Sequence, residues 1–283
     1  MNMLGDFLFS ILSEKEKRLP FYLVGAGYNF KQDLDPHSRP DGYPHIQWIQ
    51  VESGQGHVLI KGTNYTIKEN QGMLLYPGDP HEYYATKSPW IVHWLTFNGY
   101  HIKKVLALAG FKYSGVYTLI HPEIFSGKIH YALNILKSED SLKGFESSAL
   151  VYDFLITLMK YAYKENDESV AKSYSRLDEV FNYFKNHYSE VISINDIAAI
   201  LNVTPQHLCL LFRKVLGQRP FEYLNIFRIN KSKDILIHEP RERITSIARR
   251  IGFESASYFC SVFKKMEGIS PGSFRELHYH RKI

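Results

Sequence analysis

Cysteine is scarce, two residues in 283. That excludes a disulfide framework and fits a reducing compartment, so a cytoplasmic location is expected. Long apolar runs are missing too. Dense stretches such as Ala149 to Met159 stop well short of the roughly 20 residues a membrane span needs, so no membrane partner is expected. Met1 to Ser10 has no basic residue ahead of its apolar ones and does not read as a signal peptide. No Gly-x-Ser-x-Gly elbow, phosphate loop or Rossmann fingerprint occurs. His45, His57, His81 and His93 form no His-x-His pair followed by glutamate, and His81-Glu82 are neighbours that would face opposite sides of a strand. The expectation is therefore no catalytic residue, no metal and no cofactor. Stoichiometric iron, manganese or zinc in the purified protein would revive the competing metal-enzyme reading.

What charge there is lies unevenly. Residues 176–283 hold 17 Lys and Arg against 11 Asp and Glu, a net of +6, while residues 1–175 have a net of −1. The cationic part could meet phosphates. A polar, aperiodic stretch at 166–175 has the composition of a linker.

Before that linker lie two zones. Residues 20–100 are rich in Tyr, Trp, Ile and Val. Turn signals fall at Gly54-Gln55-Gly56, Lys61-Gly62-Thr63-Asn64, Asn70-Gln71-Gly72 and Pro77-Gly78-Asp79-Pro80, the pattern of an antiparallel sandwich or barrel. His45 to Ile49 and Trp90 to Phe97 are the best strands. Over 121–165 the spacing turns helical, with Leu150, Val151, Phe154, Leu155, Leu158, Met159 and Ala162 on one face. That face could pack on the chain's own barrel or form a seam between two subunits.

The zone after the linker contains a repeat. Ile197-Ala198-Ala199-Ile200-Leu201-Asn202-Val203, Phe212-Arg213-Lys214 and Gly217-Gln218-Arg219-Pro220 reappear as Ile247-Ala248-Arg249-Arg250-Ile251-Gly252-Phe253, Phe263-Lys264-Lys265 and Gly268-Ile269-Ser270-Pro271, with one extra turn residue in the second copy. Each copy has the parts of a helix-turn-helix, at about 193–216 and 245–267. Ser193 to Asp196 reads as a capping box, Thr204 and Ser255 as caps of the second helices, Pro205 as a first helical position, and Gly217 and Gly268 as stops. Leu208, Leu211, Phe212, Phe259, Val262 and Phe263 form buried faces. The opposite faces are what DNA would meet: Gln206, Cys209, Leu210 and Arg213 in one copy, Ala256, Ser257, Cys260, Ser261 and Lys264 in the other. Gln206 suits adenine, and Cys209, Leu210, Ala256 and Cys260 suit thymine methyls. Arg213, Lys214, Lys264, Lys265, Arg249 and Arg250 suit phosphates. A long helix from Phe221 to Ile237 could space the two recognition helices by about one DNA turn, roughly 34 Å. Cys209 and Cys260 match in position; small DNA-facing side chains are the preferred reading, a redox sensor the other.

The second copy, Ile247-Ala248, Gly252-Phe253, Ser257-Tyr258-Phe259, Phe263-Lys264-Lys265, Gly268-Ile269-Ser270-Pro271 and Phe274-Arg275, closely resembles the signature of the AraC/XylS family of bacterial regulators. The resemblance spans residues 176–278. It implies an all-α DNA-binding domain at 176–283, double-stranded promoter DNA as partner, and activation through RNA polymerase. Members often carry arginine where Leu210 and Ser261 stand, so guanine readout there is not expected. Arg39-Pro40, Ser53 to Gly56, Pro77 to Tyr83 and the Trp90, Trp94, Phe97 series resemble the family's all-β cupin-like sensor barrel, here 1–120, with appended helices at 121–165 as a homodimerisation segment. Arg39, Tyr83 and Trp94 align with sugar-pocket residues of arabinose-sensing relatives, with His81 and His45 as further candidates; Val92 replaces a pocket histidine, so the sugar or its pose differs. The resemblance implies a ligand-responsive activator of carbohydrate genes with a sugar effector. The alternatives are a ligand-independent DNA-binding protein whose barrel only dimerises, and a metal-dependent cupin enzyme.

Overall fold

Alternating side chains explain the two longest strands of the computed structural model, which describes residues 5–164 and 170–279. The chain divides into two units, Met1–Ala171 and Lys172–Ile283.

The first unit holds β1 (Asp6–Phe9), β2 (Tyr22–Gln32), β3 (His37–Arg39), β4 (Ile46–Ile60), β5 (Thr63–Lys68), β6 (Gln71–Leu75), β7 (His81–Asn98), α1 (Ile102–Leu108), β8 (Gly115–Leu119), α2 (Pro122–Lys137), α3 (Lys143–Tyr161) and β9 (Ala162–Tyr163). The strands form one antiparallel cupin-like sheet in the order β1-β2-β7-β4-β6-β8-β9, with β3 on β7 and β5 on β4. In β4 the period of two sorts residues between two cores. Ile46 and Trp48 join the core under α2 and α3, whereas Ile49 and Val51 face the barrel interior with Tyr83, Trp90 and Val92. Gln50, on the helix side, donates to the Pro122 carbonyl and the Ser126 hydroxyl.

Gly54-Gln55-Gly56 is not a turn. It lies inside β4, where pairing with β7 shifts register between Val51 and Gly56. Glycines there allow a bulge that bends the strand instead of ending it. The hairpin at Lys61-Gly62 is as expected, both residues being left-handed (φ 48° and 82°), while the next turn is centred on Asn70 (φ 62°) and Gly72 already belongs to β6. Leu150, Val151, Phe154, Leu155 and Leu158 of α3 are buried in the unit's own core, so this stripe packs on its own barrel and is unavailable as a seam. Ala162 is not on the helix: α3 stops at Tyr161, and Ala162 pairs with Leu119 in β9.

The second unit is all helical: α4 (Val170–His187), α5 (Ile194–Ile200), α6 (Pro205–Leu216), α7 (Pro220–His238), α8 (Ile244–Arg250), α9 (Ala256–Glu267) and α10 (Pro271–Tyr279). The expected linker of 166–175 is helical from Val170 onward, and residues 166–169 lie outside the described residues. Leu177, Val180 and Phe184, at helical spacing, anchor α4 in the first helix-turn-helix core, and that anchored helix runs back past the polar stretch. The second core gathers Ile247, Phe253, Phe259 and Phe263 around Ile229 and Leu236 of α7.

Candidate nucleic-acid interface and ligand pocket

Both helix-turn-helix units share the bonds of the turn, of the recognition-helix cap and of the helix stop, while only the first has a side-chain cap on its opening helix. In the first, Ser193 accepts from the Asp196 N–H (3.2 Å) and the Asp196 carboxylate accepts from the Ser193 N–H (2.8 Å), a complete capping box. Asn202 is left-handed (φ 51°), and the Val203 N–H returns to the Ala198 carbonyl at 3.1 Å. In the second, Gly252 is left-handed (φ 84°) and the Phe253 N–H returns to the Ala248 carbonyl at 2.9 Å. Thr204 caps α6 by accepting from the His207 N–H, and Ser255 caps α9 by accepting from the Tyr258 N–H. Gly217 and Gly268 end the helices at φ 70° and 78°.

Two arginines, Arg228 and the Arg275 of the family signature, tie each unit together by bonds that the sequence did not reveal. Arg228 of α7, 8% exposed, donates to the carbonyls of Tyr188 (2.7 Å) and Glu190 (2.8 Å) and lies 5.6 Å from the Phe253 ring. Arg275 of α10 likewise donates to the carbonyls of Pro240 and Glu242. Each reaches back to the chain just before the first helix of its own unit. Gly252 fits beneath Arg228: a Cβ there would stand 2.4 Å from the Tyr188 oxygen and 2.7 Å from the guanidinium.

The exposed face of α6 carries Gln206, His207, Leu210, Arg213 and Lys214; Leu210 is 65% exposed. That of α9 carries Ser257, Tyr258, Ser261, Lys264 and Lys265. Pro205, Cys209, Ala256 and Cys260 are half-buried, and Ala256 and Cys260 pack against the second core. Those two are therefore turned partly inward, and burial pushes the Cys260 thiol up. Ser255 is exposed, but its hydroxyl is used by the cap. His207 and Tyr258 take the exposed places, and the Asn225 amide donates to the Tyr258 hydroxyl (3.3 Å). Arg249 is exposed, whereas Arg250 is held bidentately by Glu239 at 2.5 and 3.0 Å.

In the first unit the barrel interior opens into a cavity of about 180 Å³. Arg39, Tyr83 and Trp94 line it together. Strand alternation puts them there: Arg39 pairs with His81 across β3 and β7, while Trp94 and Thr96 fall on the inward parity of β7, and Gln47 and Ile49 on that of β4. Trp94 lies over Gly27 on β2, where a Cβ would sit 2.1 Å from the indole nitrogen. Arg39 donates to Gln47 (2.5 Å) and its guanidinium lies 4.6 Å from the Tyr43 ring centroid. Phe7 and Phe9 of β1 form one wall, with the Phe9 and Trp94 rings 5.5 Å apart. Burial pushes the Tyr83 phenol up, so it is neutral and able to donate or accept.

His45 and His81 are not in that lining. His81 is buried behind it, with Nδ1 on the Asp79 carbonyl (2.8 Å), and burial lowers its pKa. His45 instead meets Asn98 at 3.0 Å. His93 is also buried. Its Nδ1 accepts from the Asn29 N–H (3.0 Å), so Nε2 carries the proton and donates to Glu52 (3.0 Å). Among the described residues no group of His, Cys, Asp and Glu is placed to hold a metal ion.

Residues 197–277 match the family model of a helix-turn-helix domain, and residues 27–155 that of an AraC-like ligand binding domain. The lactose operon transcription activator of Staphylococcus xylosus is 27% identical over 231 residues, 80% of this chain and 81% of that protein. The arabinose operon regulatory protein of Escherichia coli (strain K12) is 26% identical over 230 residues, 78% and 77% respectively. The HTH-type transcriptional regulator YdeC of Bacillus subtilis (strain 168), of uncharacterized function, is 30% identical over 114 residues, 40% of this chain and 39% of that protein, so this match spans less than half of that relative.

Proposed function

Since the chain belongs to the AraC/XylS family of DNA-binding transcriptional regulators, we propose that it is a sugar-responsive activator of carbohydrate uptake or catabolism genes. The observation that carries the DNA-reading part is the pair of matched units, each with a capped recognition helix showing an exposed polar face. In this reading Gln206 bonds adenine, Ser257 and Ser261 meet bases in the next groove, and Arg213, Lys214, Lys264 and Lys265 hold phosphates. Helix α7, 19 residues and so about 28 Å at ~1.5 Å per residue, is the spacer.

The cavity at Arg39, Tyr83 and Trp94 takes the effector, with the sugar ring on Trp94 and its hydroxyls on Arg39. Two relatives are named for the lactose and arabinose operons, which supports a carbohydrate as the effector class. The protein acts in the cytoplasm as a homodimer and recruits RNA polymerase. Exposed Tyr131, Phe145 and Tyr152 on α2 and α3 are the residues this reading gives to the partner subunit.

Footprinting on the DNA flanking its gene, with and without a sugar panel, tests the proposal. A protected direct-repeat site whose occupancy changes with one sugar is expected. Protection that no sugar alters would leave a barrel that only dimerises.

A further inference from the structure

The cavity is unusual in its charge. Among the described residues its lining contains no carboxylate, and Arg39 is the one Lys or Arg side chain there. Among the described residues no aspartate or glutamate lies within ion-pair distance of that guanidinium; its partners are the neutral Gln47 amide and the face of Tyr43. Glu82 lies next to Tyr83 on β7, but alternation sends it to the opposite face. Asp79 is already held by Lys61 at 3.1 Å and by the Ser114 hydroxyl at 2.6 Å.

The polar groups around this lone cation are unused. Gln32 is 6% exposed and lines the cavity, yet its side-chain amide has no protein partner among the described residues. Thr96, 1% exposed, likewise has no side-chain hydrogen bond, and the Gln47 amide nitrogen is also free. These lining groups have no protein hydrogen bond to give up, so a ligand with hydroxyls can bond them directly.

We infer that the effector is an anionic monosaccharide, with its carboxylate or phosphate paired to Arg39, its hydroxyls on Gln32, Gln47 and Thr96, and its apolar ring face on Trp94. Size and charge together select it. A volume of about 180 Å³ suits a single sugar ring rather than an oligosaccharide, and the planar guanidinium fork matches a carboxylate or phosphate bidentately, adding full charge pairing that a neutral hydroxyl does not offer. This rests on the sugar-sensor reading and narrows it.

Isothermal titration of the full chain with glucuronate, galacturonate and glucose 6-phosphate, set against glucose, galactose, arabinose and inorganic phosphate, tests it. At least one anionic sugar should bind about tenfold tighter than its neutral counterpart. In Arg39→Gln that ratio should fall to about one, with a single cooperative melting transition showing that the variant is folded. Gln32→Leu should weaken charged and neutral sugars alike and preserve the ratio. A uronate preference assigns the anion as carboxylate, a sugar phosphate preference as phosphate. Neutral sugars binding as tightly as anionic ones would overturn the inference and leave the sugar sensor standing. Inorganic phosphate binding as well as any sugar would overturn it too. Silence across the whole panel would overturn both readings.

Discussion

Three side chains carry distinct consequences. Arg228 donates to two backbone carbonyls, 38 and 40 residues away in sequence. Arg228→Met keeps the apolar stem but strands both oxygens, so the DNA-binding unit should lose about 2–4 kcal/mol, read by urea unfolding. Arg213 and Gln206 share one helix face but differ in kind. Arg213→Gln should weaken binding to every duplex about equally and reduce the salt slope by about one, whereas Gln206→Ala should relax preference at one base pair. Anisotropy titrations on a base-substituted site separate the two, and identical behaviour would mean the face is wrongly assigned. His93 sets a pH dependence. Burial lowers its pKa, only partly offset by Glu52, so the folded chain binds fewer protons here than the unfolded one. The stability it contributes is present above the unfolded value of about 6.5 and is lost as pH falls through the lower folded one. His45 and His81 shift the same way. The sensor unit's melting temperature should therefore decline below about pH 6.5, and His93→Gln should make that decline shallower. An unchanged slope in the variant would assign the effect elsewhere.

At the level of elements, α4 decides where an independent DNA-binding fragment begins. Its buried Leu177, Val180 and Phe184 belong to the first helix-turn-helix core, and the helix starts at Val170. A fragment of 170–283 should bind DNA, while one starting at 176 frays next to Leu177 and should melt at least ~5 °C lower, about 1 kcal/mol for a unit this size. Equal melting temperatures would show that the first turns add nothing. The same helix shows what the sequence made legible. Capping boxes, helix stops and i, i+3, i+4 faces are local signals, so both repeats, Thr204 and Ser255 as caps, and Gly217 and Gly268 as stops could be read directly. Gly54-Gln55-Gly56 was ambiguous because glycine serves a bulge as well as a turn, and only pairing with β7 decides between them. The pocket was half legible. Arg39, Tyr83 and Trp94 stand out by type and family position, but Gln32, Phe7 and Phe9 reach the cavity only through the pairing of β1 with β2 and β2 with β7. Arg275 stood in the family signature and Arg228 did not, but the bonds of neither could be read, because their partners lie 33 to 40 residues away.

For the whole molecule, the proposed sensor must bias the DNA-binding unit through differential affinity, since a ligand that binds both states equally shifts nothing. The coupling is reciprocal. If an effector raises promoter affinity by some factor, promoter DNA raises effector affinity by the same factor, typically 5–150-fold in known cases, or about 1–3 kcal/mol. Salt separates this coupling from plain electrostatics. Arg213, Lys214, Lys264, Lys265 and Arg249 are exposed cations on or beside the recognition helices, whereas Arg250 is held by Glu239. Five phosphate contacts per chain give a slope of log affinity against log salt of about −4.5 per chain. The effector should shift that line without changing its slope, because it alters the population of binding-competent protein and not the number of phosphates neutralised. Titrating promoter duplex at several salt concentrations, with and without the best-binding sugar, reads both quantities. A slope near −4.5 per chain with a parallel displacement is expected. Coincident lines would mean that the barrel does not talk to the DNA-binding unit, and a changed slope would mean that the sugar remakes the interface itself.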